Sequence, residues 1–405
     1  MSTPATVHPP KLTALCYGAM MSLSIGMNLL PVFLTSIGAT YGGAAGLSQE
    51  QLGRLGAFCF AGLTLGILVT GPLADRWGAK GFVLFGNAAS VLCLLAMAWS
   101  PTYGALAATL FCLGFAAGVL DMVLSPVVSA LNPSRRGAAL NNLHSFYCVG
   151  AAVTILVGMV ALGVGLTWQR ASLLLIPLPL GLLFAFAPMR FPALVGEGGR
   201  TPLRALLGRG WFVLALVAIF LAGATELGLA QWLPAYAERS LGFPKWVGDG
   251  SLLLFSLMMA AGRLAVGAAG ARVTPWQAMG WGCALSVVLF LAGSFLPVPG
   301  LALAACILAG FTGSALWPTM LAVTGDRHPE GGATMFAALA ALGNAGGIFM
   351  PWLVGGIADR KDLHWGLAVS ALAPLGMLAL LGVLRRGAVT SSSSAAPHPS
   401  LPPAL

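Results

Sequence analysis

Apolar stretches of about 20 residues recur along the whole chain, and they constrain its fold more than any other feature. A stretch of that length crosses the hydrocarbon of a bilayer as a helix. Only 8% of the residues are charged and the mean hydropathy is +0.90, whereas about a quarter of the residues of a typical globular protein are charged. We therefore predict an all-α integral membrane protein with twelve transmembrane helices. They are expected at 12–38, 52–70, 81–99, 103–129, 139–163, 170–188, 210–236, 247–268, 275–295, 299–323, 333–357 and 365–384.

The basic residues predict which way the helices cross. With twelve spans both termini lie on one side, and fourteen of the 20 Lys and Arg residues fall on that same side. Cytoplasmic loops carry the excess of basic residues, so both termini are expected in the cytoplasm. Topology then accounts for the net charge of +9 without a nucleic-acid partner. The fourteen are Lys11, Arg76, Lys80, Arg135, Arg136, Arg190, Arg200, Arg204, Arg209, Arg263, Arg272, Arg327, Arg385 and Arg386.

The cysteines and the chain ends predict little further structure. All seven cysteines fall inside apolar stretches and none are paired at close spacing, so we expect no disulfide, no metal site and no cofactor. Residues 1–11 lack the basic-then-apolar order of a cleaved signal and are expected to form a short cytoplasmic tail. The Ser- and Pro-rich residues 385–405 are expected to form a disordered cytoplasmic tail.

The longest polar connection, 189–209, divides the predicted helices six and six. Residues 12–188 and 210–384 would then form two six-helix bundles joined by a cytoplasmic linker. In transporters, repeats of this kind surround a solute site near the bilayer midplane. We expect the two bundles to be related by pseudo-two-fold symmetry.

The connection between predicted helices 2 and 3 carries a specific motif, GPLADRWGAK at 71–80. It resembles the signature loop of the major facilitator superfamily, and the resemblance extends over nearly the whole chain. Glycines there permit a tight turn and a close helix approach, and an aspartate can cap a helix start. The resemblance implies that these residues form a conformational latch rather than a solute site. The latch residues are Gly71, Asp75, Arg76, Gly78 and Lys80.

A narrower resemblance points to the fucose-permease-like branch of sugar and proton symporters. It rests on LDMVLSP at 120–126, LNNLHSF at 140–146, GATE at 223–226 and WPT at 317–319. The chain departs from that branch in the first helix, where Gly26, Met27 and Asn28 replace an acidic position before Leu-Leu-Pro. A relay of two acids in the N-terminal bundle is therefore not carried over.

Two carboxylates, Asp121 and Glu226, lie inside apolar stretches, where charge is costly and usually functional. Asp121 shares one face of its helix with Ser125 and Ser129 because the three are four residues apart. His144, on the antiparallel fifth helix, lies at a similar depth and is expected to pair with Asp121. That pair would serve proton coupling, or would be a purely structural hydrogen bond.

Glu226 is expected to bind hydroxyls of the solute or to act as a second protonation site, and the sequence indicates no partner for it. Its neighbour Gln231 can face the same cavity only if the helix bends, as Pro234 would allow. For Trp232, a place in the interfacial aromatic belt is favoured over contact with the solute. The other solute-binding candidates are Asn28 and Asn344, with helix packing as the alternative, Trp317, with a place in the core as the alternative, and Asn141 on the polar face of helix 5.

Together these features predict a proton-coupled secondary active transporter that moves a small polar solute, a sugar or polyol, by alternating access. Sodium is the alternative coupling ion. Uptake of an anion is disfavoured because Arg263 is placed at the cytoplasmic end of helix 8, away from the site. Proton-driven efflux of a cationic or amphipathic compound and a non-transporting receptor or scaffold are the alternatives. The sequence contains no recognisable catalytic motif, so we do not expect an enzyme. We expect a monomer in a bacterial inner membrane, with the lipid bilayer and the solute as partners.

Overall fold

The computed structural model describes residues 9–41, 46–47, 49–194 and 201–392, and every regular element in these ranges is helical. Twelve helical spans are long and apolar enough to cross a membrane, as predicted. The first six are α1 Pro9–Thr40, α2 Gln49–Trp77, α3 Lys80–Ala98, α4 Tyr103–Leu131, α5 Arg136–Gly163 and α6 Trp168–Leu173 with Pro177–Phe186. The second six are α7 Gly210–Ala230 with Leu233–Arg239, α8 Lys245–Ala269, α9 Pro275–Phe295, α10 Pro299–Gly313 with Leu316–Arg327, α11 Gly332–Ala358 and α12 Leu363–Val369 with Leu372–Ser392.

Most of the helices extend beyond the apolar stretches that predicted them. The largest differences are at the ends of α2, which reaches Trp77 instead of residue 70, and of α12, which reaches Ser392 instead of residue 384. The predicted disordered tail is therefore wrong for residues 385–392, and residues 393–405 lie outside the described part of the chain. An apolar stretch ends where the membrane ends, whereas helical hydrogen bonds continue until a residue interrupts them.

Four of the spanning helices, α6, α7, α10 and α12, are built from two segments. A proline stands within the first three residues of each second segment, at Pro177, Pro234, Pro318 and Pro374. Proline lacks an N–H and clashes with the carbonyl four residues earlier, which weakens the preceding turn and favours an interruption there. α7 is interrupted between Ala230 and Leu233, next to Pro234, where the sequence predicts a bend.

Glycine lets pairs of helices approach backbone to backbone. A Cβ atom added to Gly62 of α2 would lie 2.0 Å from the Phe111 carbonyl oxygen of α4, and one added to Gly223 of α7 would lie 2.0 Å from the Gly343 oxygen of α11. No other residue fits at such distances. Close packing of this kind is a main source of helix association in lipid, where burial of apolar surface contributes little.

We call the face on which α6 ends and α7 begins the linker face. The largest buried apolar cluster joins both halves near it, through residues such as Met122 and Leu140 of the N-terminal half and Leu316 and Phe336 of the C-terminal half. Towards the opposite face the apolar core divides. One cluster is built by the N-terminal half alone, and the other by the C-terminal half with part of α5. The two halves are thus joined most extensively at the linker face.

Candidate functional site

A buried arginine on α8 lies between the two halves. Arg263 is 2% exposed and its guanidinium makes four hydrogen bonds. Nε donates to the Ser314 carbonyl on α10 at 2.9 Å, and Nη2 donates to Glu226 Oε1 on α7 at 2.6 Å. Nη1 donates to the His144 carbonyl at 2.7 Å and to Cys148 Sγ at 3.2 Å, both on α5. One side chain therefore links three helices of the C-terminal half to one helix of the N-terminal half.

This arrangement corrects two sequence-based expectations. Arg263 does not mark the linker face, because it precedes the end of α8 by six residues, or about 9 Å of helix rise. The premise that disfavoured an anionic solute is therefore wrong. The signal was present in the sequence, since Arg263 lies within the apolar stretch SLLLFSLMMAAGRLAVGAA at 251–269.

Glu226 also has the partner that the sequence did not reveal. It lies one turn before the interruption of α7, and its ion pair with Arg263 is the one hydrogen bond of its carboxylate among the described residues. The two partners are buried to different degrees, since the Glu226 side chain is 12% exposed and that of Arg263 is 3% exposed. Glu226 therefore stands on the more accessible side of the pair, with Arg263 behind it.

The predicted Asp121–His144 pair does not form. His144 Nε2 instead lies 3.3 Å from Ser125 Oγ, one helical turn from Asp121 on α4. Within the described part of the chain, the Asp121 side chain makes neither a hydrogen bond nor an ion pair. The sequence placed both residues in the same half of the membrane, but an error of one turn, about 6 Å, is enough to replace one partner by another.

Tyr147, which the sequence analysis did not single out, lies close to both carboxylates. Its hydroxyl interacts electrostatically with the carboxylates of Glu226 and Asp121. The same hydroxyl lies 3.5 Å from Asn28 Nδ2 on α1. Asn28 itself donates to the Ser24 carbonyl at 2.9 Å. Tyr147 therefore marks the place where α1, α4, α5 and α7 converge.

The other solute-binding candidates have different surroundings. Asn141 is fully buried and donates across the two halves to Thr319 Oγ1 at 3.0 Å, so it joins α5 to α10. The Trp232 indole donates to the Pro351 carbonyl at 2.9 Å and thereby joins α7 to α11. Each contact occupies the N–H group of the side chain, and Trp232 is partly exposed, so its place in the aromatic belt and its contact with a solute both stay predictions.

The remaining three candidates lie on α7, α10 and α11. Trp317 packs against the close contact of Gly223 with Gly343, so it fills the space between helices. Asn344 is partly buried and donates to the Ala340 carbonyl of its own helix at 3.0 Å, and Gln231 is exposed at the interruption of α7. In the described part of the chain, none of these three side chains is hydrogen-bonded to the Arg263–Glu226 pair. Their contact with a solute stays a prediction.

The predicted latch residues lie where the halves meet at the linker face. Asp75 accepts hydrogen bonds from the backbone N–H groups of Ala333 at 2.6 Å and Thr334 at 3.0 Å, so it caps the start of α11. A Cβ atom on Gly71 would lie 2.5 Å from Ala337 Cβ of α11, and Gly78 adopts a φ of 77° that favours glycine. Arg76 is exposed and Lys80 begins α3.

Comparison with known proteins agrees with this architecture. The family model described as Major Facilitator Superfamily matches residues 14–331. An uncharacterized MFS-type transporter of Yersinia pestis is 23% identical over 335 residues, covering 82% of this chain and 86% of that protein. A probable nitrate/nitrite transporter of Mycobacterium tuberculosis is 25% identical over 341 residues, covering 78% and 82%. The gentisate transporter of Corynebacterium glutamicum is 26% identical over 372 residues, covering 84% and 79%.

Solved structures share the fold at low sequence identity. The transporter FucP in the outward conformation matches with a TM-score of 0.77 and 17% identity, covering 92% of this chain and 98% of that one. The xylose and proton symporter XylE matches with 0.77 and 13% identity, covering 93% and 95%. A human organic anion transporter matches with 0.74 and 17% identity, covering 93% and 100%.

Twelve membrane-spanning helices in two six-helix halves, with charged side chains buried where the halves meet, define a multi-pass membrane transporter. The chain belongs to the Major Facilitator Superfamily. Proteins of this family and fold move small-molecule solutes across the membrane and are not enzymes.

Proposed function

We propose that this protein is a proton-coupled secondary transporter of a small organic anion, with Arg263 as the group that recognises the solute carboxylate. The observation that carries the proposal is the burial of Arg263 between the two halves, paired with Glu226 at 2.6 Å. Solute sites of such transporters lie between the halves near the midplane. This favours an anionic solute over the sugar or polyol that the sequence predicted.

The chemistry of the guanidinium supports an anion. A cation inside a membrane protein is costly and usually marks a solute or ion pathway. The planar fork of five N–H donors matches a carboxylate better than any other side chain. Four hydrogen bonds hold Arg263 in place, which leaves one N–H of Nη2 for a further acceptor.

The sequence relatives also favour an anion. They include transporters named for gentisate, for nitrate or nitrite and, in Escherichia coli, for 3-(3-hydroxy-phenyl)propionate. All of these solutes carry a negative charge at neutral pH. The three names span both carboxylates and an inorganic oxyanion, so they support the charge of the solute more than its shape.

A sugar or polyol remains the second candidate, because one feature of the site favours it. The Glu226 carboxylate is fixed by Arg263 yet partly exposed, so its second oxygen can accept a hydrogen bond from a solute hydroxyl. The cationic alternative depends on Asp121, whose carboxylate lacks a cationic partner among the described residues. In both alternatives Arg263 would serve only to hold Glu226.

A thermal-shift screen on the purified chain distinguishes these three solute classes. Gentisate and 3-(3-hydroxyphenyl)propionate represent anions, fucose and xylose represent sugars, and tetraphenylphosphonium represents cations. A ligand at 100 times its Kd stabilises the folded protein by about 2.7 kcal/mol. We expect stabilisation by an aromatic carboxylate, a loss of that effect in Arg263→Gln, and no loss in the control Arg239→Gln, which removes an exposed arginine.

Transport in proteoliposomes then tests the coupling. Accumulation of the stabilising carboxylate is expected with an imposed pH gradient and not with a sodium gradient of equal size. Stabilisation by sugars alone, with an undiminished response in Arg263→Gln, would refute the anionic solute and restore the sugar hypothesis. Accumulation that follows the sodium gradient would refute proton coupling.

A further inference from the structure

The Arg263–Glu226 pair has a consequence for how protons and solute are coupled. We propose that the solute carboxylate replaces Glu226 on Arg263 and that Glu226 takes up one proton when this happens. The inference rests on the proposed function, since it requires an anionic solute. It assigns the coupling proton to Glu226, on α7, instead of to Asp121 and His144.

The first step of the argument is that Arg263 has little room for a second anion. Nε and Nη1 donate to Ser314, His144 and Cys148, and Glu226 takes one N–H of Nη2. A solute carboxylate can bind through both oxygens only if Glu226 gives up its position. Glu226 is the more exposed of the two partners, so the proposal places it on the side from which a solute approaches Arg263.

The second step concerns charge. The Arg263–Glu226 pair is neutral as it stands, and adding a monoanion would leave one uncompensated negative charge in a buried site. Two carboxylates that share one cation do not both stay ionised in such surroundings, so one proton is taken up. It goes to Glu226, because the solute carboxylate then holds the guanidinium. Release of the solute reverses the exchange, and Glu226 loses the proton and pairs with Arg263 again.

The groups around the pair do not offer a better proton acceptor. The titratable side chains near Glu226 come from α5 and α8, namely Tyr147, Cys148, His144 and Arg263, with Asp121 of α4 reached through Tyr147. The α10 contact is the backbone carbonyl of Ser314, which does not titrate. Among these groups Glu226 is the one carboxylate that is hydrogen-bonded to the cation that the solute needs.

The third step links the exchange to movement of the halves. Arg263 holds α7, α8 and α10 of the C-terminal half, and it also holds two groups of α5 in the N-terminal half. Any shift of the guanidinium towards a solute therefore changes contacts between the halves. The halves can change conformation when the site is electrically neutral, either with the solute bound and Glu226 protonated or with the Arg263–Glu226 pair alone. A conformational change with an unpaired buried charge is disfavoured.

The exchange is tested first on the wild-type chain, by the proton uptake that accompanies binding. Gentisate, or whichever carboxylate stabilises the protein, is added in weak buffer containing a pH indicator. We expect close to one proton to be taken up per bound anion at neutral pH. The affinity for the anion should then weaken about tenfold for each unit by which the pH is raised. Binding without proton uptake, and with constant affinity from pH 6 to pH 8, would overturn the proposal.

The variant Glu226→Gln separates binding from coupling, and it nearly preserves shape. Its affinity for the anion is expected to be independent of pH. It should still exchange labelled for unlabelled solute across the vesicle membrane, but it should no longer accumulate solute in response to a pH gradient. Glu238→Gln, which removes an exposed glutamate on the same helix, is the matched control and should behave as wild type.

The outcome also separates this inference from the function on which it rests. If Glu226→Gln accumulates the carboxylate with wild-type pH dependence, the exchange is wrong while the anionic solute stands. If no carboxylate binds to the wild-type chain, the proposed function fails first. Wild-type accumulation of a monoanion should respond to a pH gradient and not to membrane potential, because the proposed cycle moves no net charge.

Discussion

Arg263 shows why a buried charge depends on all its partners. Its guanidinium is compensated by one carboxylate, two carbonyl groups and one thiol, which belong to three other helices. Removing one member of a buried ion pair usually costs more than the pair contributes, because the remaining charge is left uncompensated. The contribution of Arg263 to stability therefore depends on whether Glu226 is charged.

Arg263→Met is expected to destabilise the protein by about 3–5 kcal/mol, since it leaves the Glu226 carboxylate buried without a cation. The double variant Arg263→Met with Glu226→Gln should recover a large part of that loss, because a neutral amide is easier to bury. Unfolding of the three proteins in the same detergent measures both effects. Equal stability of the single variant and the wild type would show that the pair does not exist in the folded protein.

Asp121 presents the opposite case, a carboxylate in an apolar stretch that has no hydrogen-bond partner among the described residues. Asp121→Asn should leave the melting temperature unchanged or raise it, because no ion pair is lost and an amide is less costly to bury than a carboxylate. Thermal unfolding of Asp121→Asn beside the conservative variant Asp121→Glu tests this. A melting temperature lowered by several degrees in Asp121→Asn would show that the carboxylate makes a stabilising contact.

At this scale the sequence identified the positions better than the contacts. Asp121 and Glu226 were visible because ionisable residues stand out in apolar stretches. Arg263 stands out in the same way, but it was counted among the basic residues of the linker face because it lies close to a helix end. Depth along a helix predicts which side chains can meet only to within about one turn, so the Asp121–His144 pair was predicted and the contact of His144 with Ser125 was missed.

Among the connections between helices, the second part of the linker is fixed to the loop between α10 and α11. We call these contacts the linker clasp, made by Thr201, Arg209, His328 and Glu330. The Thr201 N–H donates to the Glu330 carbonyl at 3.1 Å, and Arg209 Nη1 lies 2.7 Å from Glu330 Oε1 and 3.0 Å from His328 Nδ1. His328 is 4% exposed and packs edge-on against Trp211.

The linker clasp should weaken in acid. Burial, and then the charge of Arg209, lower the pKa of His328 below its usual value of about 6.5. The unfolded chain therefore binds a proton on this residue at a pH where the folded chain does not. The stability associated with neutral His328 is complete above pH 6.5 and is lost as the pH falls from there towards the folded-state pKa.

Thermal unfolding at pH 7.5 and pH 5.5 checks this sign. The wild type is expected to lose more stability on acidification than His328→Gln, which cannot take up the proton, by up to about 1.4 kcal/mol per pH unit below 6.5. Glu330→Gln, which removes the other titratable group of the linker clasp, is the control. Parallel curves for the wild type and His328→Gln would contradict the prediction.

The helices themselves were largely predictable, and their interruptions only in part. Apolar length predicted twelve spans because crossing the hydrocarbon requires it, and Pro234 predicted the bend in α7 because proline removes a backbone donor. The sequence did not distinguish the four prolines that interrupt a helix from Pro72, Pro126 and Pro351, which lie inside continuous helices. That difference depends on how neighbouring helices pack against each proline. A single stretch of sequence contains no information about this packing.

At the scale of the whole molecule, the polar contacts between the halves are concentrated on one side. Asp75 caps α11, Asn141 bonds to Thr319, and Arg136 pairs with Asp326, all on the side of the linker face. The apolar core that spans the halves lies on that side too, whereas the cores towards the opposite face are separate. We infer that the linker face is closed here, and that transport requires these contacts to part.

A disulfide between Gly137→Cys on α5 and Ala322→Cys on α10 should hold the linker face closed. A Cβ atom on Gly137 would lie 4.0 Å from Ala322 Cβ, within the range of about 3.5–4.5 Å that a disulfide needs. Oxidation of the double variant is expected to stop transport in proteoliposomes and to preserve solute binding from the opposite face, and reduction should restore transport. Each single variant, treated with the same oxidant, controls for the seven native cysteines. If the cross-linked protein, verified by mass spectrometry, transported at the rate of the reduced one, the halves would not need to separate at the linker face, and alternating access through that face would be wrong.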